Sequence, residues 1–150
     1  MPKNKFVLIK AYLKDIAATT MQGDAREESY YSHYSNFLSA FADEIGKTKI
    51  QITTLPKKTE ASNPDFRVWD GRQHIVGYIE AKKPGEKLDL IETSEQLKRY
   101  RNTFPNLILT DFYEFRLYRN GQLIDKVFIG RPFIAKNCKP FRQSKMKKSL

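Results

Sequence analysis

Asp65, Glu80 and Lys82 have types and spacing that suit phosphodiester chemistry: an Asp directly follows Pro64, and Glu80-Ala81-Lys82 closes an apolar run fifteen positions further on. Two carboxylates brought side by side repel unless a cation lies between them. Oxygen-only ligands suit a hard ion such as magnesium, which takes one or two protein carboxylates, a phosphate oxygen and several waters; manganese can substitute. No Cys/His cluster offers zinc a site. Lys82 beside such an ion would position an attacking water and neutralise charge developing on the phosphate.

The elements that must position these groups are strands. Residues 74–82 are β-branched and aromatic, and alternation along a strand puts Val76, Tyr78, Glu80 and Lys82 on one face, with Ile75, Gly77, Ile79 and Ala81 on the other. The preceding Asp65-Phe66-Arg67-Val68-Trp69 reads as a second strand that turns at Asp70-Gly71, with Arg72 and Gln73 lengthening the loop. Neighbouring strands lie roughly 4.8 Å apart, so folding the hairpin carries Asp65 towards Glu80.

Asn63-Pro64-Asp65 followed by Tyr78-Ile79-Glu80-Ala81-Lys82 resembles the motif of the PD-(D/E)XK nuclease superfamily, and Gln96-Leu97-Lys98-Arg99-Tyr100 resembles the Gln-x-x-x-Tyr that trails it in several branches. Across residues 25 to 130 the wording is similar to the amino-terminal nuclease module of single-polypeptide restriction-modification enzymes. The resemblance implies a restriction-endonuclease-like α/β core, a mixed sheet of four or five strands flanked by helices, and magnesium-dependent DNA endonuclease activity. It implies that Asp65 and Glu80 ligate the metal with the Ala81 carbonyl, that Lys82 orients the water, and that Glu27, on an early helix, tunes the water or a second metal. Gln96 and Tyr100 share a helical face directed at the site or at DNA backbone, and Lys98, Arg99 and Arg101 beside them are candidate phosphate contacts. In such enzymes a helicase or an adenine methyltransferase follows the nuclease. A chain of 150 residues has no room for either, so the expectation is an excised module, a stand-alone relative or a remnant, with a homodimer required for double-strand cleavage.

Elsewhere the pattern predicts a packing helix over residues 4–18, with Phe6, Ile9, Leu13 and Ile16 at helical spacing. A second helix over 25–45 carries Tyr30, Tyr34, Phe37, Leu38, Phe41 and Ile45 as its apolar stripe, and Gly46 stops it. The spacing of its tyrosines points to core packing. A strand at 50–54, a helix over 93–103, a buried central strand at 107–109 and a hairpin of 112–118 with 122–128 about Asn120-Gly121 complete the domain. The organisation expected is thus one domain over 1–130, helical to 46 and sheet-based from 47, then a basic tail, 131–150, read as a solvated terminus.

The composition fits one sizeable core, with 40% hydrophobic residues including ten Phe and eight Tyr. Lys and Arg number 27 against 17 Asp and Glu, a formal charge of +10 that suits a polyanionic partner. The lone Cys138 cannot form an intramolecular disulfide, and Lys10 interrupts the only early apolar run, so a soluble cytoplasmic protein is expected. His33 and His74 have no Ser or Cys placed as a nucleophilic partner. Two other readings share the charge: a non-catalytic DNA-binding module that keeps the fold within a larger restriction-modification assembly, and a basic RNA-associated protein in which the acids are merely structural.

Overall fold

Parallel strands need a long crossover, and the single parallel step in this sheet is made by a connection that carries two helices across one face. The computed structural model describes residues 4–58 and 63–131. Its elements run α1 (Lys5–Gln22), a 3-10 turn (Glu27–Tyr30), α2 (Tyr31–Glu44), β1 (Gln51–Thr54), β2 (Phe66–Trp69), β3 (Ile75–Ala81), α3 (Leu88–Glu92), α4 (Glu95–Thr103), β4 (Asn106–Thr110), β5 (Glu114–Arg119) and β6 (Gln122–Phe128). The strands form one sheet in sequence order, antiparallel throughout except for β3 beside β4. The architecture is the mixed α/β one expected, with six strands in place of four or five.

Strand alternation sorts the core into two layers. Ile79 and Ala81 of β3 and Phe66 of β2 pack with Tyr12 and Ile16 of α1 and with Tyr30, Tyr31 and Tyr34 of the second helical segment. Leu107 and Leu109 of β4 and Tyr118 of β5 pack instead with Leu88, Leu97, Tyr100 and Phe104 of α3, α4 and the turn after them, and Tyr78 joins this layer. So α1 and α2 cover one face, and α3 and α4 cover the other over β3 to β5.

Several boundaries depart from the sequence reading for local reasons. Helix α1 runs on to Gln22, with the Thr19 and Thr20 hydroxyls turned back onto the carbonyls of Asp15 and Ile16, and is closed by Gly23 at φ 85°. Its buried face is Leu8, Tyr12, Ile16 and Thr19, whereas Phe6 is 73% exposed. The helix expected from residue 25 begins as the 3-10 turn, and Ile45, expected in its stripe, is exposed. Residues 112 and 113, expected in a strand, instead form a turn. Asp111 Oδ1 accepts from the N–H groups of Tyr113 and Glu114, Thr110 Oγ1 accepts from Phe112 N–H, and Phe112 sits at φ 74° with its ring fully buried. Asn120 and Gly121, at the turn of the expected hairpin, both have positive φ, as a type I′ turn requires.

No helix among the described residues is long and apolar enough to cross a membrane. The basic tail and Cys138 lie outside the described residues beyond Arg131.

Candidate active site

The hairpin register carries the acids together. β2 pairs with β3 so that Phe66 lies opposite Ile79, and one step further Asp65 comes level with Glu80. Pro64 is fully buried, and the Asp65 carbonyl accepts from Leu55 N–H at 2.7 Å, which fixes the backbone just before β2. The Asp65 side chain closes onto the neighbouring strand, where Oδ2 accepts from Ala81 N–H at 2.7 Å. Ala81 itself is buried in the α1/α2 layer.

Glu80 is 3% exposed. Burial, then a hydrogen bond and charge repulsion from Asp65, raise its pKa from the ordinary carboxylate range to about 9, while the Lys82 charge opposes the rise. Lys82 lies one residue beyond β3, but its N–H still donates to the Thr110 carbonyl at 2.8 Å, so the parallel ladder steers its side chain. Its Nζ is 3.8 Å from Glu80 Oε2 and the side chain is 19% exposed.

Glu27 reaches this group from the opposite layer. Burial and the Asp65 charge raise its pKa, while a hydrogen bond from Tyr31 and the charge of Lys82 lower it. The Tyr31 hydroxyl donates to Glu27 Oε1 at 3.0 Å and also lies within hydrogen-bonding reach of Asp65. Burial, Asp65 and Glu27 together push the Tyr31 phenol far above its usual range. The sequence reading placed Tyr31 only among core tyrosines. Its position four residues after Glu27 was the available signal, because such residues share a helical face.

Gln96 and Tyr100 do share a face of α4, with Gln96 Nε2 donating to the Tyr100 hydroxyl at 3.4 Å, and the Tyr100 ring is fully buried in the α3/α4 layer. Among the candidate phosphate contacts, Lys98 is exposed and pairs with Glu95 at 3.6 Å. Arg99 is exposed as well. Arg101 differs: its Nε and Nη2 donate to the Gly121 carbonyl at 3.1 and 2.8 Å and its guanidinium lies over the Tyr118 ring, so it ties α4 to the last hairpin. His33 of α2 lies 3.8 Å from Asp15 of α1, and His74 lies 3.3 Å from Asp70 four residues before it.

Among the described residues no group of three or more His, Cys, Asp or Glu side chains is placed to share one ion. A cation here would rely on the Asp65 and Glu80 carboxylates and a backbone carbonyl, a donor set that fits magnesium, which keeps much of its water. Burial chiefly, and Asp65 beside it, raise the Glu80 pKa, and a divalent ion bound there would offset both by favouring the ionised carboxylate.

No protein-family model matches the chain, and no curated protein does. Solved structures do: the chain is similar to one in a cryoEM structure of a DrdV–DNA complex, with 26% identity and a TM-score of 0.65 over 83% of its own length. It spans only 12% of that longer chain.

Proposed function

We propose that the protein is a divalent-metal-dependent nuclease that hydrolyses DNA phosphodiester bonds, built as the nuclease module, or a stand-alone relative, of a restriction-modification enzyme. The observation that carries this reading is the meeting of Asp65, Glu80 and Lys82 at one end of the β2–β3 pair. DNA as partner is supported by the similarity to a chain solved in a DNA complex, and by the net positive charge. The PD-(D/E)XK resemblance supplies the endonuclease class.

Asp65 and Glu80, with the Ala81 carbonyl, would hold magnesium or manganese. Bound there, the ion would polarise the phosphate and lower the pKa of a coordinated water. Lys82 holds an ammonium beside the carboxylate pair, where it orients the water and balances charge on the phosphate. The Asp65 bond to Ala81 N–H locks the two strands in register at the point where chemistry occurs. Glu27, hydrogen-bonded by Tyr31, adds a third acid near Asp65 to orient water.

Supercoiled plasmid incubated with magnesium or manganese tests the reading. Wild type nicks the circle, while Asp65→Ala and Lys82→Ala lose at least a hundredfold in rate, roughly the loss seen when charge-stabilising groups are removed from active sites. Equal nicking by all three overturns it. DNA binding that survives Asp65→Ala without cleavage in any divalent metal identifies a non-catalytic binding module, and a preference for structured RNA identifies an RNA-associated protein.

A further inference from the structure

The sheet face that bears Glu80 is covered by α3 and α4 only over β3 to β5; on its β1–β2 side it carries a cation held between aromatic rings. Register places Thr53, Arg67 and Tyr78 in one row across β1, β2 and β3, with Trp69 two residues along from Arg67 on the same face. The Arg67 guanidinium carbon is 5.6 Å from the centroid of the Tyr78 ring and 5.7 Å from that of Trp69. Trp69 Nε1 in turn donates to Thr53 Oγ1 at 3.3 Å, and Thr53 is exposed.

A guanidinium carries five donors in a rigid fork. Among the described residues Arg67 spends only one of them, in a long 3.4 Å bond from Nη2 to the Lys57 carbonyl. It pairs with no described carboxylate, and its Nε is buried without an acceptor. Structural arginines elsewhere in the chain behave differently: Arg116 pairs with three carboxylates and Arg101 with a carbonyl. The Nη groups of this braced, half-buried guanidinium, with one long bond between them, are the donors that two oxygens of a phosphate can take up. Asp65 lies two residues before Arg67 on the same side of the chain, roughly 6.6 Å away at strand spacing. A nucleic-acid backbone presented to the carboxylates would therefore pass over Arg67.

We propose that Arg67, braced by Trp69 and Tyr78, is a phosphate-binding residue that holds the DNA strand beside the Asp65/Glu80 site. This rests on the reading of that site as DNA-acting, and it assigns to β2 a role separate from the α4 residues as a backbone contact. Arg67 positions substrate and takes no part in bond breaking.

The test is the salt dependence of binding to a short labelled duplex, measured by fluorescence anisotropy on the full chain in chelator, where no cleavage occurs. One phosphate contact contributes about 0.9 to the slope of log affinity against log salt. Arg67→Met, which keeps an apolar stem between the rings, loses about that much slope and binds several-fold more weakly at low salt. Arg67→Lys retains the slope with reduced affinity. Lys10→Met, an exposed cation on the α1 side of the sheet, leaves the slope unchanged. Thermal melts establish that each variant is folded. An unchanged slope in Arg67→Met, equal behaviour of Met and Lys variants, or a wild type that binds no duplex at the lowest salt overturns the proposal. Asp65-dependent plasmid nicking with an unchanged slope removes Arg67 alone. A lost slope without any Asp65-dependent nicking removes the nuclease reading and leaves the phosphate contact standing.

Discussion

At the scale of single residues, one phenolic proton stands between two acids. Tyr31 can donate to Glu27 or to Asp65 but not to both at once, and its ring is meanwhile committed to the core against Phe66 and Phe112. Tyr31→Phe keeps that packing and removes only the donor. Its melting free energy should move by no more than about 1.5 kcal/mol, while plasmid nicking falls roughly ten- to a hundredfold, as when a group supporting metal ligands is removed; nicking at the wild-type rate would show that Tyr31 only packs. Glu80 carries a second prediction. Its folded pKa lies far above its unfolded value near 4.5, so the fold binds that proton more tightly than the unfolded chain does. The resulting stability is complete below the unfolded pKa and is lost as pH climbs towards about 9. Melts of metal-free protein between about pH 5 and about pH 8 should therefore fall in midpoint. Asp65→Asn removes part of the repulsion and flattens the fall, and a midpoint independent of pH would contradict the buried pair.

Single elements show what the sequence made legible. The Asp65–Trp69 and His74–Lys82 strands were readable because alternation and an Asp-Gly turn are local signals, and they account for the juxtaposition of the two acids. The Asn120-Gly121 hairpin was legible for the same reason. Helix α3 was not: five residues are too few for a periodic stripe, and what holds it is remote. Arg116 of β5, 3% exposed, reaches Asp89 and Glu92 of α3 at 2.7 Å each and Glu114 at 2.6 Å. Nothing local in the sequence marks Arg116 as the partner of acids 24 and 27 positions away. Phe112 misled in the opposite direction, because an aromatic beside a strand reads as strand, while the side chains of Thr110 and Asp111 had already committed the backbone to a turn. The Arg116 cluster makes its own prediction. Arg116→Met leaves the buried Glu114 carboxylate without its closest partner, although Lys126 remains 3.7 Å away, and should cost about 3 kcal/mol in denaturant unfolding. A cost near zero would mean that α3 docks through Leu88 and Ile91 without the ion pairs.

For the molecule as a whole, the proposed site of Asp65, Glu80 and Lys82 would address one strand at a time, and a duplex break would then call for two copies. The sheet offers an obvious place for a second copy, since β6 is an edge strand with Leu123, Ile124, Val127 and Phe128 all exposed. Its charges oppose that use. Residues directly opposite in an antiparallel pair project to the same face, so two identical strands about a two-fold axis must pair positions of equal parity. The register that pairs all seven residues of β6 centres on Asp125 against Asp125, and the next one along centres on Lys126 against Lys126, like-charge contacts of the kind that guard sheet edges. The free protein is accordingly expected to run as a monomer in sedimentation, with copies meeting only when the duplex brings them together. Plasmid cleavage then proceeds in two separable stages. Nicked circles accumulate first at a rate proportional to protein concentration, and linear DNA follows with a steeper dependence, because the second cut recruits another molecule. Linear product appearing without a nicked intermediate at the lowest protein concentrations would show a preformed pair, and the β6 charges would then lie outside its interface.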